Sequence, residues 1–164
     1  MRELPTSRDD GTKRFLVRPV LPSAESLADL RHAVGQFVAS SIPEHVARDL
    51  LLALDEAVAN ALVHGGGRSV MVHVGVHADK VTATVRDSGG GFDVGHLVEL
   101  WPPSPLGENG RGVYIVTRLM DSVTIRSEGG TIVHMSRALA SERDRARRVC
   151  VWTGPSLARF AHIA

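Results

Sequence analysis

The sequence has 164 residues, of which 43% are hydrophobic, and its 19 Lys and Arg nearly balance its 18 Asp and Glu, for a formal net charge of +1. This composition excludes a disordered chain and gives no general attraction to nucleic acid or to membranes. The single cysteine, Cys150, excludes an internal disulfide and a cysteine-cluster zinc site. The N-terminus lacks an apolar signal segment, and no apolar run approaches the roughly 20 residues of a membrane span, so we expect a soluble, cytoplasmic protein.

The first half of the chain predicts one strand and two helices. Residues 13–20, KRFLVRPV, form a short strand that we expect Pro19 and Pro22 to end. Ser23 can cap a helix over residues 24–40, and Pro43 opens a second helix that the glycines at 65–67 stop. Apolar residues recur at helical spacing in both: Leu27, Leu30, Val34, Phe37 and Val38 in the first, and Val46, Leu50, Leu51, Leu54, Val58, Ala61 and Leu62 in the second.

The second half changes to the alternation of strands. Residues 70–77 and 81–87 read as a hairpin; a segment rich in Pro and Gly, 94–110, then leads to a helix that begins near Gly110. Strands over 122–127 and 131–136 follow. Because helices and hairpins are segregated, we predict an α+β fold, a two-layer sandwich with helices on one face of a mostly antiparallel mixed sheet. The domain is expected to span residues 13–138, between a flexible tail, 1–12, and a C-terminal extension, 139–164.

Asp87 continues the apolar face of the second hairpin strand, because it follows Val81, Ala83 and Val85 in steps of two. A carboxylate there costs free energy unless it meets a hydrogen-bond donor. Taken alone, such a residue more often turns the chain at a strand end. The alternative is a buried acceptor for the amine of a ligand.

Two groups of glycines favour the second alternative. Gly89 and Gly91 come directly after the acid, and glycine lets the backbone approach a flat ligand closely. The second group, GENGRG at 107–112, stands immediately before a helix, where backbone amides bind anions. Each group alone is weak evidence. Together with Asp87 and with the Glu56 and Asn60 pair on the second helix, they indicate a nucleotide site.

Glu56, Asn60 and His64 form one row on the second helix, each four residues after the last. Asn60 offers a neutral oxygen that suits a magnesium ion bridging phosphates. Glu56 could orient or deprotonate an attacking hydroxyl. An isolated Glu-Asn pair is more often a polar helix edge at the surface, and a histidine at this point is more often a helix-end cap than a ligand.

The segments DEAVANALVHG, RDSGGGFD, GENGRGVYIV and GGTIVHM, in this order, resemble the Bergerat-fold (GHKL) ATPases, the superfamily of gyrase, the heat-shock chaperone, histidine kinases and mismatch-repair proteins. The resemblance covers about residues 15–137, and more narrowly the chain is similar to the bacterial anti-sigma factor serine kinases. It implies an ATP- and Mg²⁺-dependent serine/threonine protein kinase that sequesters a sigma factor and phosphorylates a serine on an anti-sigma-factor antagonist. It also implies a cytoplasmic homodimer without direct contact to nucleic acid or membrane.

The resemblance assigns a role to each matching residue. Glu56 matches the catalytic acid, and Asn60 matches the asparagine that holds magnesium. Asp87 matches the acid that accepts from the adenine amino group. The remaining matches are Gly89 and Gly91 in the first glycine box beside the adenine, Gly110, Arg111 and Gly112 in the second box at the phosphates, Thr131 as support for adenine recognition, and, more weakly, His64 at the ribose-phosphate edge.

Two other functions stay open. The chain could be an ATP-binding regulatory module that binds a protein partner without phosphoryl transfer, which a Glu56 facing away from the phosphates would favour. It could also be a catalytic fragment of a histidine kinase, but His32 lacks the flanking Glu and Pro expected of a phosphoacceptor.

Some segments have no assigned role. Trp101 lies in the short Pro-rich lid between Gly95 and Gly107, and it would either form the core of the lid or contact a partner. SERDRARR, at 141–148, is expected to be a solvated helix face rather than a nucleic-acid arm. Beyond it, three apolar residues could dock on the body of the domain or on a partner: Trp152, Leu157 and Phe160.

Overall fold

A computed structural model describes residues 14–66, 69–91, 111–127, 129–140, 149–152 and 159–161. Its elements follow the predicted order and add two short strands at the end. In chain order they are β1 (Arg14–Val20), α1 (Ala24–Val38), α2 (Glu44–His64), β2 (Val70–Val76), β3 (Lys80–Arg86), α3 (Arg111–Leu119), β4 (Ser122–Ser127), β5 (Thr131–Ala138), β6 (Val149–Trp152) and β7 (Arg159–Ala161).

All strands join one sheet in the order β1-β2-β3-β5-β4-β6-β7. The first five strands pair antiparallel throughout. Strand β6 lies parallel to β4, and β7 returns antiparallel to β6. The predicted α+β fold with a mostly antiparallel mixed sheet is therefore confirmed.

The expectation that Pro19 ends the first strand was wrong. Strand β1 continues through Pro19 to Val20, which pairs with Val70. It forms one edge of the sheet. An edge strand tolerates proline because an N–H on its outer side has no ladder partner to lose.

The core lies between one face of the sheet and the helices. The predicted inward faces of β2 and β3 are buried, as are the helix residues that oppose them. Ser23 caps α1 as expected, its Oγ accepting from the Ser26 amide at 3.1 Å. These elements contribute the following buried residues to the core: Val70, Val72, Val74, Val76, Val81, Ala83 and Val85 from the strands, and Leu30, Val34, Leu50, Leu54 and Val58 from the helices.

Residues after Ala138 contribute β6 and β7 to the sheet, which sequence analysis did not predict as strands. Trp152 and Phe160 lie within them. The lid with Trp101, the segment 141–148 and Leu157 lie outside the described residues, and the domain boundaries at 12 and 138 stay predictions. In the described part of the chain, no helix has both the length and the apolar character to cross a bilayer.

Candidate nucleotide-binding site

A pocket opens between α2, α3 and the ends of β3, β4 and β5. Its polar groups come from four predicted site residues: Asn60, His64, Asp87 and Thr131. The remaining wall is apolar, which suits the faces of a flat aromatic ring. Sequence analysis did not assign this wall, which consists of Ala57, Ala61, Val85, Val113, Val116, Ile125 and Val133.

Asp87 is 5% exposed and lies immediately after β3. Its Oδ1 accepts from the Gly89 amide at 2.8 Å and from the Thr131 amide at 3.1 Å. Within the described residues, no donor contacts its Oδ2. Oδ1 therefore fixes the turn after β3, and the side chain of Asp87 also lines the pocket.

Glycines allow the backbone at the end of α2 to contact the backbone of the loop after β3, next to Asp87. A β-carbon at Gly89 would lie 2.6 Å from the Cα of Gly65, and one at Gly65 would lie 3.1 Å from the Cβ of Asp87. Gly130 has a φ of +134°, and a side chain there would meet the carbonyl of Asp87. Sequence analysis assigned Gly65 only to stopping α2 and left Gly130 without a role; the available signal was their position beside His64 and Thr131.

Gly91 also lies against a strand end. Its φ is +85°, which favours glycine, and a side chain there would meet the hydroxyl of Ser127 at the end of β4. Both members of the first glycine box therefore stand where a side chain would not fit. Gly89 lies against the end of α2 and Gly91 against the end of β4, so the loop after Asp87 packs closely on both elements.

The start of α3 packs directly on the polar row of α2. A β-carbon at Gly112 would lie 2.6 Å from Asn60 Nδ2 and 3.0 Å from Glu56 Oε2. Arg111 is the first residue of α3, and Gly110 lies outside the described residues. Gly112 is distant in sequence from Glu56 and Asn60, and the fold places it against both. His64, in the last turn of α2, lies farther along the same row and lines the pocket.

The oxygen of Asn60 fits one coordination position of a magnesium ion. In the described residues there is no group of three or more His, Cys, Asp or Glu side chains that could hold a metal by themselves. Mg²⁺ is usually held by one or two protein oxygens together with phosphates and water. The donor set here suits a metal that arrives with a nucleotide.

A family model matches most of the chain. Residues 20–137 match the model of the histidine kinase-like ATPase domain. This range contains all ten predicted site residues: Glu56, Asn60, His64, Asp87, Gly89, Gly91, Gly110, Arg111, Gly112 and Thr131.

Among curated proteins, the chain is similar to proteins named serine-protein kinase RsbW. It is 36% identical to that of Bacillus licheniformis over 107 residues and 33% identical to that of Bacillus subtilis over 106. Each of these alignments covers 58% of this chain and 66% of the relative, just under two thirds of its length. With the protein of Staphylococcus aureus the identity is 26% over 144 residues, 80% of this chain and 91% of the relative. The predicted resemblance to serine kinases of the GHKL superfamily is confirmed, and the chain belongs to the histidine kinase-like ATPase domain family.

Proposed function

We propose that this protein binds ATP in the pocket between α2, α3 and the sheet. The adenine lies between the apolar walls, and its exocyclic amine donates to Oδ2 of Asp87. The fixed orientation of this carboxylate supports the assignment, because both backbone amides hold its other oxygen. Thr131 belongs to the same end of the pocket, where its backbone exchanges hydrogen bonds with Asp87.

The phosphates lie at the N-terminal end of α3, with Mg²⁺ on the oxygen of Asn60. The observation that carries this proposal is the convergence of Glu56 and Asn60 on Gly112 at the first turn of α3. Free amides at a helix N-terminus attract phosphate oxygens, and the metal offsets their charge. His64 would border the ribose and phosphates from the last turn of α2.

The proposed reaction is phosphoryl transfer to a serine of a partner protein. The serine oxygen bonds to the γ-phosphorus, the bond to the bridging oxygen of ADP breaks, and Glu56 takes up the hydroxyl proton. Glu56 Oε2 points toward the start of α3, which supports this role over a module that only binds nucleotide. The names of the relatives, serine-protein kinases, support the same class of acceptor.

The proposed acceptor is an anti-sigma-factor antagonist, and the proposed second partner is a sigma factor held in the cytoplasm. We would test this by co-purifying partners from the native host and then incubating them with ATP labelled at the γ-phosphate. Label on a serine of a co-purified small protein, lost with Glu56→Gln, is the expected result. If wild-type protein binds ATP and labels no co-purified protein, the function is that of an ATP-binding regulatory module.

A homodimer is also proposed, with β1 as its contact. This strand is a sheet edge, and Phe15 and Val17 on it are 60% and 41% exposed. A free edge can pair with a second copy. Light scattering at micromolar concentration should give a dimer that Val17→Lys dissociates and that Val63→Lys leaves intact, since Val63 is 74% exposed on α2. A wild-type monomer would remove this part of the proposal.

A further inference from the structure

Arg137 links three elements from a buried position at the end of β5. Its side chain is 3% exposed, and its Nη2 lies 2.7 Å from Oδ2 of Asp49 on α2. Its Nη1 donates to the carbonyl of Leu119, the last residue of α3. The planar guanidinium suits this task, because its donors diverge in fixed directions toward two acceptors.

The link to Leu119 holds the C-terminal end of α3. The last carbonyls of a helix have no hydrogen-bond partner within the helix, and they carry its partial negative charge. A buried guanidinium at this end donates a hydrogen bond to such a carbonyl and also offsets the charge. The following turn is tied to β5 as well. The Asp121 amide donates to the Ser136 carbonyl at 2.9 Å, and Oδ2 of Asp121 accepts from the Ala138 amide at 2.8 Å.

The other end of α3 lies on the same face of α2. Asp49, Glu56 and Asn60 are separated by two turns and one turn of α2, so their side chains project from one side of it. Gly112 contacts this side at Glu56 and Asn60, and Leu119 is joined to it at Asp49 through Arg137. The start of α3 thus meets α2 at Glu56 and Asn60, whereas the end of α3 is joined to α2 at Asp49, which lies earlier in α2. The two helices therefore run antiparallel, and α3 is held at both ends.

We propose that Asp49 and Arg137 are positioning residues of the nucleotide site. They fix the placement of α3 against α2, and hence the aim of its N-terminal amides relative to Asn60 and Glu56, without touching the nucleotide. The inference rests on the proposed binding of ATP phosphates at this helix start. It predicts that the pair controls phosphate affinity more than adenine affinity. The amides of α3 would bind phosphates through hydrogen bonds, which depend on angle, whereas α3 lines the pocket only with Val113 and Val116, whose apolar contact is non-directional.

The test compares ATP with adenosine, which lacks the phosphates, by calorimetry in the full-length chain. Asp49→Asn should weaken ATP binding by about tenfold or more, as loss of a supporting residue typically does, and change adenosine affinity less than about twofold. Arg137→Lys should weaken ATP binding less than Asp49→Asn does. The ammonium group of lysine keeps the positive charge but lacks the planar, diverging N–H donors of the guanidinium. If Asp49→Asn does not fold, Arg137→Lys carries the comparison alone.

The matched control is the Arg31–Asp55 pair, in which Arg31 Nε lies 2.8 and 2.7 Å from the two oxygens of Asp55. It joins α1 to α2 and does not reach α3. Asp55→Asn should therefore leave the ratio of ATP to adenosine affinity unchanged.

A second measurement does not need nucleotide. Amide hydrogen exchange over 113–119 should be faster in Asp49→Asn than in wild type or Asp55→Asn. Equal losses of ATP and adenosine affinity, or unchanged exchange in α3, would overturn the positioning role. If wild-type protein bound neither ligand, the proposed function would fall, and exchange in α3 would still decide whether the pair holds this helix.

Discussion

Gly112 and Asn60 approach each other so closely that a single added methyl group would lie 2.6 Å from the amide nitrogen of Asn60. The atom concerned is on the helix that would hold the metal, and the glycine is on the helix that would hold the phosphates. The two helices can therefore pack at this distance only because residue 112 has no side chain.

Gly112→Ala should push the side chains of Asn60 and Glu56 out of place, which should weaken ATP binding and lower the free energy of unfolding by about 1–3 kcal/mol, the usual cost of overpacking. The control is Gly35→Ala in α1, where an added β-carbon meets nothing within 4 Å. That change should raise the free energy of unfolding by about 0.5–1 kcal/mol, because alanine suits a helix interior better than glycine, and leave ATP binding unaltered. Calorimetry and urea unfolding measure both. Normal ATP binding by Gly112→Ala would contradict the close-packed site.

Asp87→Asn should preserve the fold and impair binding. The amide oxygen can still accept from Gly89 and Thr131, whereas an amide nitrogen in place of Oδ2 opposes the amine of adenine. We expect ATP affinity to fall by about 1–3 kcal/mol, and Asp55→Asn, on the Arg31 side of α2, is the control that should leave it unchanged. Wild type should prefer ATP clearly over GTP, whose base lacks an amine at the corresponding position. Equal affinity of wild type for the two nucleotides would show that Asp87 does not select adenine.

Substitutions of Glu56 and Asn60 should affect ATP binding and phosphoryl transfer differently. Asn60→Ala removes a metal ligand, so it should lose both the magnesium-dependent part of ATP binding and phosphoryl transfer. Glu56→Gln keeps the size of the side chain and should bind ATP normally while transfer falls by about 10²–10⁴. Binding is followed by calorimetry with and without Mg²⁺, and transfer by labelled phosphate on the partner. Normal transfer by Glu56→Gln would refute its role as the base.

His134, on the face of the sheet opposite the helices, should make the fold sensitive to acid. Partial burial lowers the pKa of this histidine from the ordinary value of 6.5, and Lys80, Arg126 and His77 lower it further. The folded state thus resists protonation more than the unfolded chain does. Its contribution to stability is complete above pH 6.5 and is lost as the pH falls through the folded pKa.

The pKa of His134 can be followed by NMR, and the free energy of unfolding by urea titration at several pH values. Lys80→Gln should raise the pKa of His134, since it removes one of the cations. His134→Gln should reduce the loss of stability below pH 6.5. If the pKa of His134 in the folded protein were at or above that of an exposed histidine, this residue would not cause the expected loss of stability at acidic pH.

Local sequence was sufficient where the physical cause is local. Alternating valines over 70–76 and the glycines that follow Asp87 predicted β2 and the first glycine box, because strand faces and tight turns depend on neighbouring residues. Four residues, VCVW, are too few to show a strand period, so β6 was not predicted. The contact of Gly65 with Gly89 and the pairing of Asp49 with Arg137 depend on how distant elements pack, which no local pattern reports.

The pairing of β1 with β2 has a consequence for the folding kinetics. Val20 pairs with Val70 and Arg14 with Val76, so both helices α1 and α2 lie within the loop that this pairing closes. The hairpin of β2 and β3 closes through a short turn instead, with Val76 opposite Val81. Because closing a long loop costs more entropy and slows the formation of distant contacts, we expect β1 to join the sheet late. Until it does, the outer edge of β2 is unpaired, and the nascent chain is then most prone to aggregate through that strand.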